Sequence, residues 1–338
     1  MSDSESQAPI AVVGAGSWGT ALAIQFARGG KRTRLWGRDA PQMHAMARER
    51  RNLRYLPGAE FPAALSVVTD VGAALDGALD VLVAVPSHAL RSVLRTIAPR
   101  LAPGMRLALA SKGFELTTSQ LPHQVAHEEL GAARSIAVLS GPTFAHEVGA
   151  GLPSAMTIAS PDAEFATALA YDLSVGNFRA YTSPDIIGVE VGGAVKNVLA
   201  VATGFSDGSK FGANTRVALI TRGLVEMTRL GVALGGQRET FMGLAGLGDL
   251  VLTCTDDQSR NRRFGLLLAR NNTPEAALKQ IGQIVEGYVA AKATRQVAQR
   301  LTVNMPLCEA VYQVLYERLP VMEVVRGLMS RPIKAETE

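Results

Sequence analysis

The chain has 338 residues, 47% apolar and 19% charged, the composition of a folded protein with room for two cores rather than of a disordered chain. Its formal charge of +4, with only 5% aromatic residues, offers no base-stacking platform, which argues against a nucleic-acid partner and suits small anionic ligands. Two cysteines build no disulfide framework, residues 1–7 lack the apolar run of a secretion signal, and no apolar stretch of about 18 residues is uninterrupted, so a cytoplasmic protein without a membrane span is expected.

Residues 9–13 read as a short buried strand and 20–28 as a helix, with Gly14-Ala15-Gly16-Ser17-Trp18-Gly19 between them. In that setting Gly14, Gly16 and Gly19 allow a tight turn whose backbone approaches a pyrophosphate at a helix N-terminus, so a dinucleotide cofactor is expected. Gly29-Gly30 stops the helix, and Thr33–Trp36 is the second strand. A site selective for NAD places an acid at the end of this strand; here the chain continues Gly37-Arg38, with no acid before Asp39. Arg38 can pair with a 2′-phosphate, with Arg51 or Arg54 adding to it. Asp39 can instead pair with Arg38 or cap a helix beginning near Pro41. The expected preference is therefore NADPH (the NADP couple), with residual use of NAD.

The apolar runs 65–69, 80–85, 106–110 and 136–139 alternate with helical stretches such as 88–101 and 118–130, and 155–159 and 178–181 add two further strands. This alternation predicts an α/β fold with a doubly wound, mostly parallel sheet of Rossmann type. Ligands bind beyond the strand C-termini of such sheets, here at Pro86-Ser87-His88, Ser111-Lys112-Gly113 and Ser140-Gly141-Pro142-Thr143. From Asp185 only helical periodicity remains, at 216–234, 275–281, 288–300 and 307–316. A dinucleotide-binding domain over 8–187 and an all-helical domain over 188–338 follow.

Lys196 opens the chemistry of that second half, because its helical neighbours are Gly192, Gly193 and Ala200. Each glycine costs about 1 kcal/mol relative to alanine in a helix, which calls for a ligand or another backbone in close approach. A helix start carrying a surface lysine is the plainer alternative. In the glycine-rich run 243–255, Asp249 and Thr253 share a face if Asp249 begins a helix; Asp249 as a simple N-cap is the alternative. In Ser259-Arg260-Asn261-Arg262-Arg263, Arg260 and the Asn261 amide can grip a phosphate, while Arg262 and Arg263 read as solvated. His123 and His127 stand at helical spacing without a third ligand, so they read as a surface pair and no metal is expected. No Gly-x-Ser-x-Gly elbow or cysteine beside a histidine is present, and hydride transfer with a lysine acid fits better.

The motifs around Gly14, Ser87, Lys112, Gly141, Lys196, Asp249 and Arg260, in unbroken order from about residue 9 to about residue 318, resemble those of the bacterial NAD(P)-dependent sn-glycerol-3-phosphate dehydrogenases. The resemblance implies interconversion of dihydroxyacetone phosphate and glycerol 3-phosphate, feeding phospholipid synthesis, by a Rossmann domain followed by a helical domain like that of 6-phosphogluconate dehydrogenase. It makes Lys196 the general acid/base, Lys112 a substrate and cofactor contact, and Gly141, Thr143, Asp249, Ser259, Arg260 and Asn261 substrate contacts. Ser17, Trp18, Arg38, Ala145, Arg260, Ile284 and Glu286 match cofactor positions. Asn197 is expected to hold the substrate carbonyl beside Lys112. The family often has tyrosine or phenylalanine at Trp18, which leaves the aromatic cover intact, and 319–338 add nothing to the match. A hydroxyacid dehydrogenase of the same plan is disfavoured by the phosphate grip, and a non-catalytic NADPH sensor would give Lys196-Asn197 no purpose. A homodimer is left open.

Overall fold

Strand β1 (Ile10–Val13) is four apolar residues, all buried, and such a strand belongs at the centre of a sheet covered on both faces. Ile10 and Val12 enter one core while Ala11 and Val13 enter another, as the two-residue period of a strand requires. The strands that follow are β2 (Thr33–Trp36), β3 (Arg51–Asn52), β4 (Leu56–Glu60), β5 (Leu65–Val68), β6 (Asp80–Val83), β7 (Arg106–Leu109), β8 (Ile136–Ser140), β9 (Ser154–Ala159) and β10 (Phe178–Ser183). Eight of them form one sheet in the order β10-β9-β8-β7-β6-β1-β2-β5, parallel throughout except between β8 and β9. The structure, a computed structural model, describes residues 8–270, 272–333 and 335. Residues 1–7, where no secretion signal is expected, and 336–338, the end of the expected helical domain, lie outside the described residues.

The helices of the first half are α1 (Ser17–Arg28), α2 (Ala40–Glu49), α3 (Val71–Leu75), α4 (Ser87–Ile97), α5 (Pro122–Leu130), α6 (Ala145–Ala150) and α7 (Ala163–Leu173). Those of the second are α8 (Ile186–Gly208), α9 (Ala213–Ala233), α10 (Asp249–Thr255), α11 (Arg260–Leu268), α12 (Pro274–Ile281), α13 (Glu286–Arg300), α14 (Pro306–Tyr312) and α15 (Val321–Met329). The α/β sheet followed by helices is the architecture that the alternation predicts. Helix α5 begins later than expected, because 116–118 form a turn closed by the Ser119 N–H on Glu115 O, Ser119 has φ 60°, and Pro122 takes the first helical turn. The ribbon of β3 and β4, and helices α6, α7 and α15, are not foreseen from the sequence.

Helix α8 is the axis of the second half. Asp185 caps it by accepting from the Gly188 N–H at 2.8 Å. It is long and apolar enough by composition to cross a bilayer, yet 89% of its apolar window is buried inside the fold, so it is the centre of a core. Lys196 therefore lies mid-helix and not at a helix start.

Around this axis the neighbours come close enough for backbone to meet backbone. A Cβ on Gly192 would lie 2.3 Å from Ala245 O, on Gly204 2.0 Å from Arg262 O, and on Gly287 2.4 Å from Asn197 O. The glycines are thus compensated by close approach of the chain's own backbone. Gly265→Ala tests this packing: the new methyl would meet Val201 O at 2.2 Å and Phe205 N at 2.6 Å. Overpacking costs about 1–3 kcal/mol and outweighs the gain of about 1 kcal/mol in helix propensity. Thermal unfolding followed by circular dichroism is expected to show a lower Tm, and a Tm at or above wild type would contradict the contact.

Candidate active site

The glycine turn sits at the C-terminal end of central strand β1. Gly14 has φ 122° and its Cβ would lie 2.4 Å from Ala84 O, while a Cβ on Gly19 would lie 1.9 Å from Gly14 O. Gly16 differs, since nothing stands within 4 Å of its Cβ position. Helix α1 starts at Ser17 with no side-chain cap, which leaves first-turn N–H groups facing that open space. Trp18 Nε1 is buried without a partner. A tight turn, open space and spare donors fit a dinucleotide pyrophosphate.

At the end of β2, Arg38 is exposed. Asp39 is the N-cap of α2, its Oδ1 accepting from the Gln42 N–H at 3.1 Å, and its Oδ2 lies 3.4 Å from Arg54. Asp39 thus caps the helix and pairs with Arg54, and Arg51 is paired with Glu60, so neither arginine is free in the way expected.

Strands β7 and β8 end beside β6 and β1, which brings Lys112 and Ser140 to the same edge of the sheet. There they meet the helical half. Asp249, 1% exposed, holds two ammonium groups: its Oδ2 accepts from Lys112 Nζ at 2.9 Å and its Oδ1 accepts from Lys196 Nζ. Lys196, 7% exposed, also donates to Thr253 Oγ1 at 3.1 Å, and Thr253 Oγ1 donates to Asp249 O at 2.6 Å. Asp249 and Thr253 do share a face of α10, and Asp249 is no N-cap, because Gly248 takes that position. Gly193 leaves room for the Lys112 stem, its Cβ position lying 3.5 Å from Lys112 Cδ and 3.1 Å from Ser140 Oγ.

Burial pushes the Lys196 ammonium down to about 8, with the Lys112 charge adding to the effect and the Asp249 carboxylate opposing it. Burial alone would raise the Asp249 carboxyl, but the Lys112 and Lys196 ammonium groups override it and hold it below the usual carboxylate range. An amine near 8 exchanges a proton at physiological pH, as an acid/base must.

Next to Lys196 on α8, the Asn197 side-chain amide donates to Gly193 O at 3.3 Å and to Glu286 Oε2 at 3.1 Å, and accepts from Asn261 Nδ2 at 2.7 Å. Asn261 Oδ1 in turn accepts from the Gly287 N–H at 2.9 Å. Both side-chain amides thus make internal hydrogen bonds, while the backbone N–H of Asn261, the donor expected for a phosphate, lies in the first turn of α11. Ser259 is the N-cap of α11 through the Arg262 N–H at 3.2 Å. Arg260 lies on the outer side at 3.5 Å from Gln283 Oε1, next to exposed Ile284. Arg262 is not solvated: it is buried and paired with Asp207 at 2.7 Å and with Asp257, whereas Arg263 is exposed. Gly141 has φ 158° and its Cβ would lie 2.8 Å from Met156 Cα. The turn continues to Thr143, whose Oγ1 donates to Gly141 O at 3.3 Å, and to Ala145 at the start of α6. Pro142 packs near Gly248, which brings this turn to the lysine cluster. His123 is not part of a surface pair, since its ring nitrogen and backbone N–H both bind buried Glu190. No group of three or more metal-binding side chains occurs among the described residues.

Two sequence families account for most of the chain. Residues 9–166 match the N-terminus, and 185–326 the C-terminus, of NAD-dependent glycerol-3-phosphate dehydrogenase. The chain belongs to the NAD-dependent glycerol-3-phosphate dehydrogenase family. It is 55% identical over 325 residues to a glycerol-3-phosphate dehydrogenase [NAD(P)+] of Nitrosococcus oceani, covering 96% of this chain and 94% of that one. The Edwardsiella ictaluri protein of the same name is 53% identical over 330 residues, covering 97% and 98%. The crystal structure of glycerol-3-phosphate dehydrogenase from Coxiella burnetii superposes with a TM-score of 0.92 at 46% identity, covering 96% of this chain and 99% of that one.

Within this family fold the residue that sequence reasoning overlooks is Glu190, which carries no motif; its burial in the first half of α8 against His123 is visible only in three dimensions. The lysine cluster itself generates a prediction. Asp249→Asn leaves Lys112 and Lys196 facing each other without a carboxylate, and breaking a buried pair costs about 3–5 kcal/mol. Chemical unfolding at pH 7 is expected to show that loss, diminished to the extent that Lys196 sheds its proton, and a wild-type midpoint would contradict the shared ion pair.

Proposed function

We propose that the protein reduces dihydroxyacetone phosphate to sn-glycerol 3-phosphate, reversibly, and that it supplies the backbone of glycerophospholipids in the cytoplasm. The observation that carries this reading is Asp249 holding Lys196 and Lys112 on one carboxylate at the ligand edge of the sheet. Bound nicotinamide supplies the hydride to C2 of the substrate. Residues 8–187 bind the dinucleotide and 188–338 the substrate.

Lys196 protonates the oxygen that becomes an alkoxide, and a positioned acid is worth roughly 10²- to 10⁴-fold. Asp249 keeps its ammonium aimed and charged, Thr253 fixes its direction, and Lys112 stabilises charge on the substrate oxygen. Arg260, half-buried at the head of α11, grips the phosphate with Ser259 and with the turn Gly141–Thr143. Asn197 and Asn261 act as a bonded pair and turn toward substrate by exchanging an internal partner. On the cofactor side, Gly14, Gly16, Ser17 and Gly19 cradle the pyrophosphate and Trp18 covers it. Ala145, Ile284, Glu286, Arg260 and Lys112 complete that wall, and Arg38 takes a 2′-phosphate.

The direct test is loss of absorbance at the NADPH band on adding dihydroxyacetone phosphate, compared with ketoacids and with no substrate. Equal rates with ketoacids would point to a hydroxyacid dehydrogenase, and no loss with any of them to a binding protein.

Lys196→Ala is expected to lower turnover by about 10²- to 10⁴-fold with NADPH affinity unchanged; retention of more than about a tenth of the rate contradicts acid catalysis by this side chain. The pH profile gives the same role a sign. Reduction needs the ammonium, so it should fall as pH rises through about 8, while oxidation of glycerol 3-phosphate needs the free amine and should rise through about 8. Cofactor choice is tested at Arg38. Arg38→Ala should erode catalytic efficiency with NADPH more than with NADH, and equal losses would show that Arg38 is not the selector.

A further inference from the structure

The segment 111–123 leaves the sheet at the end of β7 and returns to it through α5, yet its side chains are spent on the helical half. Phe114 and Leu121 are buried in the core that surrounds α8, and Lys112 reaches Asp249. The segment closes on itself through the Glu115 N–H and Gln120 O at 2.9 Å. At its far end the His123 N–H donates to Glu190 Oε1 at 2.8 Å, and His123 Nδ1 meets Glu190 Oε2. On the outer side, Arg91 of α4 binds both oxygens of Glu115 at 2.8 Å and Gln120 Oε1 at 2.9 Å. The segment that carries Lys112 is thus fastened to α8 at both ends, by Lys112 itself through Asp249 and by His123 on Glu190.

Glu190 stands six residues before Lys196 on α8, about 9 Å along the axis. It is 4% exposed, and a carboxylate at that depth needs partners to offset its lost hydration. Among the described residues its hydrogen bonds come from the backbone N–H and the ring of His123. Lysine has a flexible stem of four carbons, so the seat of its ammonium depends on where the backbone beneath it is held. Gly113, at φ 110°, and the apolar anchors Phe114 and Leu121 give that backbone no charge-specific register against α8. The buried Glu190–His123 contact gives it one.

We propose that Glu190, with His123, is a positioning residue that keeps Lys112 seated on Asp249 beside Lys196. This rests on the substrate role assigned to Lys112 under the proposed function. Glu190 touches neither substrate nor cofactor and acts through the segment that carries Lys112.

Steady-state kinetics of the full chain with dihydroxyacetone phosphate and NADPH test it, using Glu190→Ala, Lys112→Ala and the double variant. Glu190→Ala is expected to lower kcat/KM for dihydroxyacetone phosphate by about 10- to 100-fold, the range that a misplacement of about 1 Å can reach. NADPH binding, read by fluorescence titration, is expected to weaken no more in Glu190→Ala than in Lys112→Ala, because Lys112 also lines the cofactor wall. In the Lys112→Ala background the Glu190 substitution should cost nothing further, because the group it positions is gone. Additive losses, or a Glu190→Ala enzyme with wild-type kcat/KM, overturn the proposal. His123→Ala is carried in parallel as the less buried route to the same loss, and it must show the same non-additivity. Wild-type kcat/KM in Lys112→Ala alone would overturn the role of Lys112 itself, an outcome distinct from additivity.

Discussion

Two ammonium groups drawn out of water onto a single carboxylate form the constraint on which the rest of the molecule depends. Each charge would be costly alone at that depth, and the arrangement holds only while Lys112, Lys196 and Asp249 stay within hydrogen-bonding distance. One lysine comes from the end of a strand, the second from the middle of α8, and the aspartate from the start of α10. The cluster therefore joins the two halves of the chain at the C-terminal edge of the sheet. Its net positive charge suits a phosphorylated anion, and its burial keeps Lys196 close to the point where it can give up a proton.

Much of this was legible in the sequence, for identifiable reasons. Strand β1 is short and uniformly apolar, and the glycine turn that follows has a spacing with a steric cause at Gly14 and Gly19, so fold and cofactor edge could be read locally. Asp249 and Thr253 share a helical face because four residues separate them, and that too is local. What escaped the sequence depended on partners far away in the chain. Arg262 looks solvated until Asp207 is brought beside it, and His123 looks exposed until α8 presents Glu190. The side chains of Asn197 and Asn261 share one hydrogen bond across 64 positions, which no local pattern announces. The glycines of α8 were rightly read as signs of close approach, though what approaches is the backbone of Ala245 at Gly192 and the side chains of Ser140 and Lys112 at Gly193.

Family membership and the geometry divide the explanation between them. The matches over 9–166 and 185–326 say which lineage built the chain, and they do not say what any side chain does. The distances around Asp249 show which groups share one buried, charged environment. Ser259 and Asp39 illustrate the separation: each stands at a motif position, and each has a capping bond of its own.

The backbone contacts along α8 carry a consequence for mechanical behaviour. Where Gly192, Gly204, Gly265 and Gly287 bring main chain against main chain, the spacing between helices is set by covalent geometry instead of by rotamers. Such seams contain no side chain to rearrange and almost no void to collapse, so they yield little under hydrostatic pressure. Compression should accordingly be taken up at interfaces filled by long side chains, while Lys196, Asn197 and the helices that face them move as one stiff block.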